Sequence, residues 1–144
     1  MTSQQKKVPK VILIVEDSET SQEISAKELS KIAYEYKASI KTMQSYDEVV
    51  SFFENQDVEI LCAILDMRIF RHAIEKQETD IFWGLSTLRF LRENKLPLNK
   101  IIILTSYTED VMKKLSEEEK TRLIRKPVHA KTLQRRVIEM IEKD

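Results

Sequence analysis

The chain has 144 residues and a mass of 17.0 kDa, the size of one domain with room for a full core. Its 42% hydrophobic and 33% charged residues exclude a disordered chain. With 24 basic and 24 acidic residues the net charge is zero, so direct nucleic-acid binding and strong attraction to anionic membrane are not expected. The single Gly excludes a G-x-G-x-x-G dinucleotide loop and a Gly-rich P-loop. The single Cys, Cys62, cannot form an internal disulfide and lies in an apolar run, which fits buried packing and a reducing cytoplasm.

Residues 1–9 are polar and end at Pro9; they read as a flexible tail before a domain over 10–144. The apolar run after Lys10 stops at Glu16, too short for a signal peptide, and no segment is long enough to span a membrane. Val11-Ile12-Leu13-Ile14-Val15 is a β-branched run of the kind found in buried strands, and it ends at Glu16 and Asp17. Thr20 and Glu23 have capping-box spacing ahead of a helical stripe of Ile24, Leu29, Ile32 and Tyr36. A more polar strand over 39–43 reads as an edge. Ser45 and Glu48 form a second capping box before Val49, Val50, Phe52 and Phe53.

The central element is Glu59–Asp66, where six apolar residues end in a carboxylate. An unbroken run suits a parallel strand covered on both faces. Leu85, Leu88 and Leu91 mark a helix closed by Pro97. Ile101-Ile102-Ile103-Leu104-Thr105 is a fourth strand, and Thr108 caps a helix holding Val111, Met112 and Leu115. The stretch 116–120 is too charged to be buried. A short fifth strand over 122–125 precedes Pro127, and Leu133, Val137, Met140 and Ile141 mark a closing amphipathic helix. Strand and helix alternate five times, so the expected fold is α/β, a doubly wound parallel sheet with right-handed crossovers.

In such a sheet the carboxyl ends of all strands share one edge, where ligand crevices form. That edge receives Glu16, Asp17, Asp66, Thr105 and, after the fifth strand, Lys126. Clustered carboxylates repel unless a cation or proton intervenes, and a hard ion such as Mg²⁺ suits oxygen ligands. A hydroxyl and an ammonium opposite them supply donors for an anion. Metal and donors around one carboxylate suit phosphoryl transfer. Each residue alone has a plainer role: turn or N-cap for Asp66, helix start for Glu16 and Asp17, ordinary strand residue for Thr105, solvated surface for Lys126. His72 and His129 are too isolated for a metal site and read as surface residues. Trp83 and its neighbouring aromatics read as packing or contact residues.

Val15-Glu16-Asp17-Ser18, Leu65-Asp66-Met67, Leu104-Thr105-Ser106 and Arg125-Lys126-Pro127, in that order, resemble the receiver domain of two-component response regulators over about residues 10 to 143. The resemblance implies a flavodoxin-like (βα)5 fold of five strands in the order 2-1-3-4-5. It implies Asp66 as phospho-acceptor, with Mg²⁺ held by Asp17, Asp66 and the main-chain carbonyl of Arg68, and Glu16 acting mainly through metal-bound water. Thr105 is then the hydroxyl donor to the phosphoryl group and Lys126 its ammonium partner, with a cis Lys126–Pro127 bond. The implied partners are a sensor histidine kinase or phosphotransfer protein as donor, a downstream effector protein as reader, and a second copy in a homodimer. Such a protein is a stand-alone regulatory switch that catalyses only its own phosphorylation and dephosphorylation.

Three departures stand out. No Pro follows Asp66 closely, and Gly84 comes eighteen positions later, so the loop 67–83 is about ten residues longer than usual. Leu123 stands where an aromatic switch residue is common, and Ser106 where Ala or Gly is. The long loop, folded as a short helix over 71–78, is expected to carry a partner or self-association surface. Arg68 and Tyr107 are expected to slow loss of phosphate. A haloacid-dehalogenase-type phosphatase needs an Asp where Arg68 stands, and flavin binding needs a phosphate loop where Glu16 and Asp17 stand. A pseudo-receiver that uses no phosphate is the remaining alternative.

Overall fold

The computed structural model describes residues 8–72, 80–94, 96–106 and 108–143. The expected tail therefore lies mostly outside the described residues, as do Tyr107, Ile74 and most of the helix expected over 71–78. The strands are β1 (Lys10–Val15), β2 (Ala38–Met43), β3 (Glu59–Asp66), β4 (Ile101–Thr105) and β5 (Leu123–Arg125). The helices are α1 (Glu19–Glu35), α2 (Tyr46–Asn55), α3 (Ile81–Glu93), α4 (Thr108–Met112), α5 (Glu117–Lys120) and α6 (Ala130–Glu142). The five strands form one sheet in the order β2-β1-β3-β4-β5, all parallel. That order puts the polar strand β2 on an edge and the most apolar run at the centre, as the sequence indicates.

Period-two alternation divides the core between two faces. Leu13, Val15, Ala63, Leu65, Ile101 and Ile103 point to the face covered by α2, α3 and α4. Their neighbours Ile12, Ile14, Cys62, Ile64, Ile102 and Leu104 point to the face covered by α1 and α6. Burial on both sides is why these strands read as continuous apolar runs. The β1–β3 register slips between Val11 and Ile12, where Leu61 is the extra residue on β3.

Local signals shift two expectations. Ser18, not Thr20, caps α1, its Oγ accepting from the Ser21 amide at 3.2 Å; the helix starts two residues earlier than the 20/23 pair suggests and leaves Ile24 exposed. The stretch 116–120 is not wholly solvated. Ser116 and Glu119 make a reciprocal capping box, and the Glu119 side chain is buried against the Arg92 guanidinium at 3.0 Å. Burial alone would raise the Glu119 pKa; the Ser116 amide and Arg92 outweigh it and hold the carboxyl below its ordinary value. A paired charge can be buried where a lone one cannot.

The stretch after β3 is tied down at both ends. Met67 and Ile69 are fully buried, and Trp83 packs partly into the core. Ile69 bridges Asp80, and Phe70 bridges Ser45 in parallel. Ile81 also packs against the core, so Met67, Ile69, Ile81 and Trp83 serve it, while Phe82 stands 58% exposed.

Candidate functional site

Parallel pairing puts the ends of β1, β3 and β4 side by side: Val15 pairs with Leu65, and Asp66 with Leu104. The residues that follow are therefore forced together. One oxygen from each of Glu16, Asp17 and Asp66 lies within 4.8 Å of the others. Lys126 reaches into the cluster from beyond β5, its Nζ 2.7 Å from Asp66 Oδ2 and 2.9 Å from Glu16 Oε2. The Lys126 amide donates to the Thr105 carbonyl at 2.9 Å, which fixes the lysine beside the end of β4. The peptide bond between Lys126 and Pro127 is cis.

Asp66 is buried, with Oδ1 accepting from the Arg68 amide at 3.1 Å. That bond draws the Arg68 backbone back toward the cluster. Thr105 is fully buried at the end of β4, one residue past Asp66 in register. Leu123 pairs with Ile103 and packs against the core on the α2–α4 side. His129 occupies the N-cap of α6 without a side-chain cap bond and is exposed. His72 is half-exposed and pairs with Asp47, so neither histidine joins a metal cluster among the described residues.

Two glutamines that the sequence did not single out support the acidic pair. Gln22 is buried in α1, and its Nε2 donates to the Glu16 carbonyl at 2.8 Å and the Met43 carbonyl at 3.0 Å. Gln44, just after β2, donates from Nε2 to the Asp17 carbonyl at 3.1 Å. Gln22 carries a weak signal, a polar residue on the helix face that meets the sheet; Gln44 carries none.

Electrostatics follow from crowding. Burial, a hydrogen bond with Asp17 and the charge of Asp66 push the Glu16 carboxyl up to about 8, against the pull of Lys126. For Lys126, burial favours the neutral amine, but Asp66 and Glu16 overcome it and raise its pKa above the ordinary lysine value. The ammonium is therefore the standing counter-charge of the cluster. Because Glu16 binds its proton more tightly folded than unfolded, its contribution to stability is complete below its ordinary pKa of 4.5 and is lost as pH rises toward about 8. Lys126 stays charged throughout that window. The metal-free protein should therefore lose melting temperature between pH 5 and pH 8.5, and Glu16→Gln should flatten the slope; equal slopes in both proteins, followed by calorimetry, would refute this.

The donors present fit a hard divalent cation: oxygen ligands only, three of them close enough to share one ion, and excess negative charge to neutralise. Beside the cluster a shallow groove runs between α1 and the segment after β5, lined by Ser21, Ile24, Ser25, Ser106, Lys126 and Val128. The exposed Ile24 lies on its wall.

No protein-family model and no curated protein matches the chain. Solved structures do. A signal receiver domain of an HD-domain protein from Pseudomonas fluorescens Pf-5 superposes with a TM-score of 0.67 at 15% identity, covering 94% of this chain and 96% of that one. A response regulator receiver domain protein from Clostridium thermocellum gives 0.61 at 23% identity, over 93% and 94%. A Vibrio cholerae chemotaxis protein gives 0.63 at 17% identity, over 93% and 99%. The likeness runs through the whole described sheet and its helices, and this chain has the fold of response-regulator receiver domains.

Proposed function

We propose that residues 10–144 form a phosphorylation-activated receiver of a two-component relay, with Asp66 as the acceptor. What carries the reading is the convergence of Glu16, Asp17, Asp66 and Lys126 at the carboxyl edge of a receiver-type sheet. A cluster of this composition has little to offer a neutral ligand and much to offer a phosphoryl group.

In this reading Asp17, Asp66 and the Arg68 carbonyl would hold Mg²⁺, and Glu16 would act on it mainly through water. Bound Mg²⁺ supplies charge neutralisation between the acceptor and the incoming phosphoryl oxygens. Asp66 Oδ attacks phosphorus as the P–N bond of a phosphohistidine breaks; its electron pair leaves with the imidazole nitrogen, which takes up a proton. Lys126, already on Asp66 Oδ2, turns to the new phosphoryl oxygens, and Thr105 donates its hydroxyl to them. The groove between α1 and the segment after β5 gives a donor protein a place to bind beside Asp66. A sensor histidine kinase or phosphotransfer protein is the donor, an effector protein or a second copy the reader. The protein acts as a regulatory switch in the cytoplasm rather than on a separate substrate.

The test is direct. Incubation with Mg²⁺ and a small acyl or amidophosphate donor should add one phosphoryl group by intact mass, and chelation should prevent it. Absence of any adduct with the phosphodonor, in protein that binds Mg²⁺, would favour an interaction module that does not use phosphate.

A further inference from the structure

We propose that Gln44 is a positioning residue that ties the acidic cluster to the segment leaving Asp66, so that cation binding there is felt at Trp83. The inference rests on the metal reading above. Gln44 makes contacts in three directions. Its side-chain Nε2 holds the Asp17 carbonyl at 3.1 Å. Its own carbonyl accepts from the Phe70 amide at 3.1 Å, and its amide donates to Glu48 Oε1 at 3.2 Å. The pairing continues as Tyr46 N–H donates to the Phe70 carbonyl at 2.9 Å and Asp47 N–H to the Arg71 carbonyl at 3.0 Å.

With the pairing of Val15 and Leu65, which sets the ends of β1 and β3 side by side, the contacts close a ring. From Asp17 it runs through the Gln44 amide to Phe70, then back along four residues of chain to Asp66, whose Oδ1 holds the Arg68 amide. A cation shared by Asp17 and Asp66 joins two points of that ring and restrains the distance between them. The one side-chain link in the ring is Gln44, held at its Nε2 by the Asp17 carbonyl and at its backbone by Phe70 and Glu48, so it passes the restraint on rather than absorbing it. Tyr46 and Arg71, on the two paired segments, both lie against the indole of Trp83, with ring centroids 5.4 Å apart for Tyr46 and the Arg71 guanidinium 5.1 Å from the ring. Residues that orient a metal ligand from behind affect affinity as well as geometry.

Trp83 is the chain's single tryptophan, so its emission reports this junction without interference. Mg²⁺ is titrated into the full chain, with binding followed by calorimetry and the indole by fluorescence, and with amide exchange of Phe70 and Tyr46 measured in the wild type. Wild-type protein should show an emission change that saturates with the calorimetric constant, and slower exchange at both amides. Gln44→Met keeps the volume and removes the N–H donor. It should weaken Mg²⁺ about tenfold, and at saturating Mg²⁺ leave the indole emission close to its metal-free value. Emission that changes as much in the variant as in the wild type overturns the role of Gln44. Calorimetric binding to wild type with unchanged emission and unchanged amide exchange overturns the coupling while leaving the metal site standing. No heat with Mg²⁺ in wild-type protein overturns both the metal reading and this one.

Discussion

Asp66→Asn protein should take up no phosphoryl group under conditions where the wild type is converted, while keeping its fold. The reasons lie in the partners of Asp66. Its two carboxylate oxygens are already separated by function: Oδ1 is held by the Arg68 amide at 3.1 Å, and Oδ2 faces Lys126 at 2.7 Å. Asparagine keeps the shape and one acceptor oxygen, so the Arg68 bond can persist. It removes the nucleophilic charge and places an NH₂ or a neutral oxygen against an ammonium. The fold should tolerate this, because the substitution also removes one of three crowded carboxylates and relieves repulsion on Glu16. Two measurements separate the outcomes: intact mass after exposure to phosphodonor, and the melting temperature. An undiminished adduct on the variant would move the acceptor to another residue, with Asp17 the nearest candidate. A lost adduct together with a collapsed melting temperature would mean that Asp66 is first of all structural.

The sheet was readable from sequence for a physical reason. Strands buried on both faces cannot use polar residues, so β1, β3 and β4 appear as apolar runs whose ends are marked by Glu16, Asp66 and Thr105. Parallel topology then carries those ends to one edge, so proximity of the charged residues follows from chain order alone. What escaped is what depends on pairing across the chain. Glu119 looked solvated because nothing local announces that Arg92, 27 positions earlier, will meet it. Gln44 drew no notice because its role lies in bonds to Asp17, just past β1, and to Phe70, four residues past β3. The onset of α1 was misplaced for a smaller reason: several hydroxyl residues near the start compete as caps, and Ser18 is the one whose Oγ takes the Ser21 amide.

The delay of the single glycine to position 84 has a steric explanation with a large expected consequence. A Cβ built on Gly84 would lie 2.0 Å from the Met67 carbonyl oxygen and 2.5 Å from both Met67 C and Cα. All three are backbone atoms, so no side chain can swing away. Met67 cannot retreat easily: its side chain is fully buried and its amide donates to the Leu104 carbonyl at 3.2 Å. Nor can α3, which is anchored through Leu85, Leu88 and Leu91. The position of the glycine is therefore set by where α3 meets the Met67 backbone. In an exposed helix, Gly→Ala gains roughly 1 kcal/mol from backbone entropy. Here overpacking costs about 3 kcal/mol or more and should win. A net loss of about 2 kcal/mol lowers the melting temperature of Gly84→Ala by roughly 4–8 °C. Because Met67 separates Asp66 from Arg68, its displacement should also weaken Mg²⁺ binding, which Leu88→Ala, a comparable loss in the same helix, should leave nearly unchanged. A Gly84→Ala protein that melts higher than wild type would show that α3 can slide on the sheet, and the close approach to Met67 would no longer account for the glycine.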